Sequence, residues 1–179
     1  GREGRISLPI LTKEGYTTIH VTGGQVTYRD LHIFGVPGDD AIVNLEIESG
    51  YKGKITLENC SFTGRMHDAA IVIGDNCEVN LELIGDNVLS AGGIKVSPLG
   101  SLTFEGVGNL SVNTTGIETF GIGNDMDSYH GDLIFDHSLG PVVPQSGNDI
   151  GDVAEIAVGT GMGGVTDFGA GGIGHNGIA

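Results

Sequence analysis

The sequence predicts an all-β chain wound into a parallel coil. Three observations carry that prediction: apolar residues recurring every 23 to 24 positions, period-two alternation within each recurrence, and much glycine with few charges. One apolar column runs Leu31, Ile55, Val79 and Leu102, in steps of 24, 24 and 23. A second lies two residues later, as Ile33, Leu57, Leu81 and Phe104. A third runs Ile47, Ile71, Ile94 and Ile117, its early members flanked by Val21, Leu45 and Ala69. Lys54-Ile55-Thr56-Leu57-Glu58 and Glu78-Val79-Asn80-Leu81-Glu82 alternate as half-buried strands do. Gly-Asp, Gly-Asp-Asn and Ser-Pro-Leu-Gly turns separate such strands and leave no room for long helices. A rung holding three short strands is the unit of a parallel β-helix, in which each column stacks at about 4.8 Å.

Taken in chain order, the rungs are clearest over residues 17–140. Leu133 and Phe135 continue the first two columns but sit 31 residues after Leu102 and Phe104, so about eight extra residues lie between Gly121 and Asp132. From 141 to 179 the chain is Gly-rich and its register is open. Ile156 and Val158 fall 23 residues past Leu133 and Phe135, yet Ala154 to Gly161 suits a different strand of the rung equally well. The length, 179 residues, fits a single domain spanning 1–179.

Composition excludes several function classes. With 23 acidic and 8 basic side chains the net charge is −15, which opposes binding to nucleic acid or to an anionic membrane surface. The longest apolar run, Ala69 to Ile73, is far short of the ~20 residues of a membrane span. Tryptophan is absent, which argues against a flat aromatic strip for crystalline polysaccharide. The chain opens Gly1-Arg2-Glu3-Gly4 without methionine, as processed or trimmed chains do, so its location is read from composition and resemblance.

The phrase Ile55-Thr56-Leu57-Glu58-Asn59-Cys60-Ser61-Phe62-Thr63-Gly64 resembles the generic rung of the right-handed parallel β-helix superfamily that includes pectate lyases and polygalacturonases. The Gly-rich end, Ile150 to Ala179, is similar to secreted bacterial carbohydrate-binding β-helix domains. The resemblance covers residues 17–165 and implies a fold far more than an activity.

Candidate chemistry sits in four places. Gly38-Asp39-Asp40-Ala41-Ile42 is similar to the segment that supplies catalytic carboxylates in polygalacturonases. Its companions are missing: no Asn-Thr-Asp precedes it, no Arg-Ile-Lys follows, and the single Gly-His-Asn-Gly lies at 174–177. Gly-Asp-Asp is also an ordinary turn. A lyase would need a basic residue beside calcium, whereas Arg29, Arg65 and Lys95 fall at different coil positions. Directly after the second column come Phe34, Glu58, Glu82, Glu105 and Asp136, which predicts a four-carboxylate ladder: either a solvated acidic face, or one that binds calcium or another ligand.

The insertion supplies Asp125, Asp127 and Asp132, with the Asn124 amide, as hard oxygen donors suited to calcium, the one cofactor expected; a plain polar loop is the alternative. Tyr129 and His130 beside it offer a stacking ring and a hydrogen-bonding imidazole for a sugar. The six histidines show no His-Xaa-Xaa-Xaa-His spacing, which argues against zinc. Cys60 falls in an apolar column and Cys77 at a turn, 17 residues apart, so a buried thiol is expected at Cys60 and no disulfide between them.

The resulting expectation is a non-catalytic polysaccharide-binding β-helix module of a larger secreted or cell-surface bacterial protein. Its ligand-binding residues would be Tyr129, His130, Glu58, Glu82 and Glu105, and its metal ligands Asp125, Asp127 and Asp132. The rivals are a polysaccharide lyase or glycoside hydrolase, and a purely structural adhesin or spacer.

Overall fold

A computed structural model describes residues 2–14, 18–22, 28–41, 43–48, 50–63, 69–114, 121–124, 129–144, 155–156, 165–167 and 173–175. The elements are β1 Arg2–Ser7, α1 Leu8–Glu14, β2 Thr18–Val21, β3 Tyr28–Phe34, β4 Asn44–Ile47, β5 Lys52–Glu58, β6 Ser61–Thr63, β7 Ile71–Ile73 and β8 Glu78–Ile84. There follow β9 Asp86–Ala91, β10 Ile94–Val96, β11 Ser101–Gly106, β12 Asn109–Thr114, β13 Ile122–Gly123, β14 Asp132–Phe135, β15 Val142–Pro144, β16 Glu155–Ile156, β17 Val165–Asp167 and β18 Ile173–His175.

These strands form three parallel sheets. The first has the order β1-β3-β5-β8-β11-β14-β16, the second β18-β13-β10-β7-β4-β2, and the third β15-β17-β12-β9-β6. In a middle turn the chain visits the first, third and second sheets in succession, as in β5, β6 and β7. The result is a parallel β-solenoid of about four turns. Its core is the stack of inward residues: Ile33, Leu57, Leu81, Phe104 and Phe135 from the first sheet, Leu45, Ile71 and Ile94 from the second, and Phe62, Leu89 and Val112 from the third, all buried.

The pairing registers correct the predicted columns. Leu31 pairs with Ile55, but Ile55 pairs with Leu81 rather than Val79, which sits beside Gly53. Likewise Ile47 pairs with Ile73, while Leu45 pairs with Ile71. The step is 26 residues here, not 24. The physical reason is parity: a slip of two residues keeps every apolar side chain on the inner face, so alternation fixes sidedness without fixing register. Beyond this point the expectation holds, with Val79 on Leu102, Leu81 on Phe104, and Ile71 on Ile94. The 31-residue step is also as read, with Leu102 on Leu133 and Phe104 on Phe135. Ile117 lies outside the described residues, and Ile122 takes the place beside Ile94. Of the two open readings for Ile156, the pairing selects the first sheet, opposite Phe135 and not Leu133.

Two features at the ends were not visible as columns. β1 pairs with β3, so the first sheet begins 15 residues before the first apparent rung, and the seven-residue α1 follows where a third-sheet strand would otherwise come. At the other end β17 pairs with both β12 and β15, lying between two strands that precede it in the chain. Val165 on β17 is buried.

The corners between the first and third sheets are tight, and polar side chains build them. Asn59 adopts φ 52° and Gly85 φ 67°, the left-handed region that reverses an extended strand within one or two residues. Asn87 is 1% exposed. Its Oδ1 accepts the Cys60 amide at 2.8 Å, and its Nδ2 donates to the Ile84 and Asn109 carbonyls, each at 3.2 Å.

Both cysteines are buried free thiols. Cys60 Sγ–H donates to the Ile33 carbonyl at 3.1 Å, and Cys77 Sγ–H to that of Glu48 at 3.0 Å. The apolar column expected for Cys60, in which Val36, Ile84 and Val107 would be its neighbours, is not formed: Val36 and Val107 are exposed, and Cys60 sits beside Asn87.

Candidate functional site

The outer face of the first sheet carries three parallel rows of side chains, two residues apart along each strand. The central row runs Arg5, His32, Thr56, Glu82 and Glu105 by direct strand pairing, with Asp136 just past the end of β14. The next row holds Phe34, Glu58 and Ile84. The predicted four-carboxylate ladder is therefore shorter than expected. Glu82 and Glu105 are true neighbours, but Glu58 lies one row over, because the 26-residue step from β5 to β8 sets it opposite Ile84.

The face is internally compensated rather than bare. Lys54 Nζ lies 3.9 Å from Glu82 Oε2 and 3.6 Å from Glu105 Oε1, bridging the two carboxylates that repel. Thr56, 4% exposed, donates its hydroxyl to Glu82 at 3.1 Å. His32 Nε2 is 2.9 Å from Glu58 Oε2. The Arg5 guanidinium carbon stands 5.1 Å from the centre of the Phe34 ring, within cation–π range, and His32 meets the same ring edge-on at 6.1 Å. Farther along, Ser138 donates both its amide (3.1 Å) and its hydroxyl (2.7 Å) to Asp136, which holds that carboxyl below the usual carboxylate range.

Around the corner from Phe34 the chain enters a groove of about 400 Å³. Gly35 and Val36, the residues after Phe34, form one part of its wall, and Leu8 and Pro9 of α1 form another. Asp39, Asp40 and Lys13 supply its charged groups. The Gly-Asp-Asp segment is thus a turn, with the Asp39 amide donating to the Val36 carbonyl at 3.0 Å, and that turn also lines a cavity. Asp40 accepts a hydrogen bond from the Ser61 hydroxyl, which ties the turn to β6.

A second, polar groove of about 270 Å³ lies at the corner entering the first sheet, lined by Lys52, Glu78, Pro98, Leu99 and Asp132 among others. Lys52 Nζ is 3.6 Å from Glu78 Oε1 there. Asp132 is exposed, opens β14 opposite Ser101, and faces this groove. Asp125 and Asp127, the other expected calcium ligands, lie outside the described residues. Asn124 is buried and donates to the Tyr129 carbonyl at 2.6 Å. Tyr129 is 82% exposed, and His130 Nδ1 sits 2.7 Å from the Gly131 carbonyl. Gly131 stacks so closely on the previous rung that a Cβ there would overlap the Gly100 and Ser97 carbonyls. The expected ligand-binding residues therefore divide: Glu58, Glu82 and Glu105 share the outer face, while Tyr129 and His130 stand at the insertion.

Sequence reasoning missed Lys13, Arg5 and His32. Arg5 and Lys13 precede the first recognisable rung, and His32 was one of six histidines without a local spacing. The parallel pairing of β1 with β3 is what brings Arg5 beside His32.

Fold and grooves define a class, a parallel β-solenoid with a polar outer face and a mixed groove at one end. No family model, curated protein or solved structure matches the chain.

Proposed function

We propose that the chain is a non-catalytic module that binds polysaccharide outside the cell as part of a larger protein, taking a neutral or amine-bearing sugar rather than an anionic one. The observation that carries this reading is the groove of about 400 Å³ beside Phe34, where apolar Leu8, Pro9, Val36 and Ala41 meet the polar groups of Asp39, Asp40 and Lys13. A sugar ring asks for that combination: apolar surface for its C–H face and a few placed hydrogen-bonding groups for its hydroxyls. Its neighbours in the chain would pass over Phe34 and the row of Glu58, Thr56 and Glu82. A net charge of −15 disfavours pectin-like polyanions.

Affinity electrophoresis against a panel of neutral, amino-sugar and uronate polysaccharides tests the reading. Retardation by a neutral or amino-sugar polymer, lost in Phe34→Ala and in Asp39→Asn, is the expected result. Indifference to the whole panel, or a preference for uronates, would refute it.

The second reading, a glycoside hydrolase, is favoured by the two carboxylates and the lysine that line one groove. It is the weaker because Asp40 is engaged by Ser61, which leaves Asp39 as the carboxylate with no such side-chain tie among the described residues. Release of reducing ends that depends on both Asp39 and Asp40 would establish it in place of the first.

A further inference from the structure

On the outer face of the second sheet, away from the groove, His20 on β2 pairs directly with Glu46 on β4. Glu48 lies two residues beyond Glu46. His20 Nδ1 is 2.7 Å from Glu48 Oε1 and 3.4 Å from Glu46 Oε2, and one ligand atom from each of the three lies within 4.8 Å of the others. We propose that these three side chains bind a divalent transition-metal cation of the zinc class, with water completing the coordination.

The geometry is close to what the ion requires. Zinc bonds of ~2.0–2.2 Å to nitrogen and oxygen, arranged tetrahedrally, place donor atoms about 3.3–3.5 Å apart. The His20–Glu46 separation already has that value, and Glu48 need withdraw by well under 1 Å. Glu46 comes from β4, Glu48 from the residue just past its end, whose amide still donates to the Val21 carbonyl at 2.7 Å, and His20 from the paired strand, so backbone hydrogen bonds set their spacing before any ion arrives.

Partners outside the triad hold Glu46. The buried Asn44 Nδ2 donates to Glu46 Oε1 at 3.4 Å, while Asn44 Oδ1 accepts the Thr18 hydroxyl at 2.8 Å. That chain fixes one carboxylate oxygen and leaves Oε2 turned toward His20, the outer-shell support that metal-binding carboxylates commonly have.

Charge points the same way. Among the described residues no lysine or arginine pairs with Glu46 or Glu48, and the residue opposite Glu46 on the next strand is Val72. Lys95 is one strand farther along the same row. A divalent ion would neutralise both carboxylates. The imidazole nitrogen selects zinc over calcium or magnesium, which prefer all-oxygen shells. A ligand set of this kind leaves no local histidine spacing in the sequence, because His20 and Glu46 lie on paired strands 26 residues apart.

The test is calorimetric titration of the full chain with ZnCl2, alongside thermal melts with and without chelator. One saturable site is expected, raising the melting temperature. Affinity should fall at least about tenfold in His20→Gln and in Glu48→Gln, and millimolar CaCl2 should not displace the ion. Both side chains are exposed, so the variants should melt like the parent chain in chelator. The proposal fails if no saturable zinc binding occurs, if it survives His20→Gln, or if calcium displaces it.

Discussion

Asn87→Ala is the most direct test of how the corners are held. The Asn87 side chain is buried and makes three hydrogen bonds, one accepting the Cys60 amide and two donating to carbonyls. Their loss is unequal. The Ile84 carbonyl keeps a second partner, the Asn59 amide at 3.2 Å, so it stays satisfied. The Cys60 amide has a single acceptor to lose, and a buried unsatisfied donor costs about 1–3 kcal/mol. Adding roughly 1 kcal/mol for the remaining bonds gives an expected loss of about 2–4 kcal/mol, a large part of a typical stability of about 5–15 kcal/mol. Asn87→Asp separates the terms: one carboxylate oxygen still accepts from Cys60, but the other, in place of the donating amide nitrogen, faces two carbonyls. Urea unfolding would give the stability change, and native-state hydrogen exchange would show the Cys60 amide losing protection selectively. If Asn87→Ala unfolds within about 0.5 kcal/mol of the parent, the side chain does not hold the corner and the argument fails.

Three further outcomes follow from the core and its edges. Phe104 and Phe135 stack with ring centres 4.8 Å apart and planes 8° from parallel, so a double-mutant cycle of their leucine variants should show a coupling of about 0.5–1.5 kcal/mol; no coupling would contradict the 31-residue step. Burial pushes the Cys60 thiol up to about 12 and also raises that of Cys77, so neither should react with a thiol reagent at pH 8 until the chain unfolds, and fast labelling of the native protein would contradict their burial. Asp136 is lowered in the folded state by Ser138, so its contribution is present above the unfolded value and is lost as pH falls through the folded one. Ser138→Ala should therefore lose stability at pH 7 and converge with the parent in acid, and equal loss at both pH values would refute the linkage.

The fold was legible because a coil repeats its inward side chains, and inwardness depends only on parity. Ile55, Leu57, Leu81 and Phe104 announced themselves as core for that reason. Register was less legible: Gly53, extending β5 by one inward position, slides β8 by two residues without exposing anything apolar. That slip moved Glu58 out of the row that Glu82, Glu105 and Asp136 share. The His20–Glu46 juxtaposition was hidden because outward residues carry no apolar signal to mark which of them meet. Asn87 was hidden differently, because Gly85-Asp86-Asn87 reads as an exposed turn, whereas Asp86 opens a strand and Asn87 points into the corner. The groove walls from Leu8 to Lys13 come from a short helix outside the repeat, which no periodicity could place.

The position of β17 between β12 and β15 bears on the order in which the molecule can be assembled. Turns through β12 need only neighbours already synthesised, so they can close one after another as the chain emerges. The third sheet then stops, because the strand that belongs next to β12 is some fifty residues farther on and β15, arriving first, is not its native partner. Until Val165–Asp167 docks, β12 offers an unpaired parallel edge, the kind of template on which separate chains join. A chain cut between Pro144 and Val165 should therefore keep its early turns and gain a tendency to self-associate, its last native strand having been left without the one that seals it.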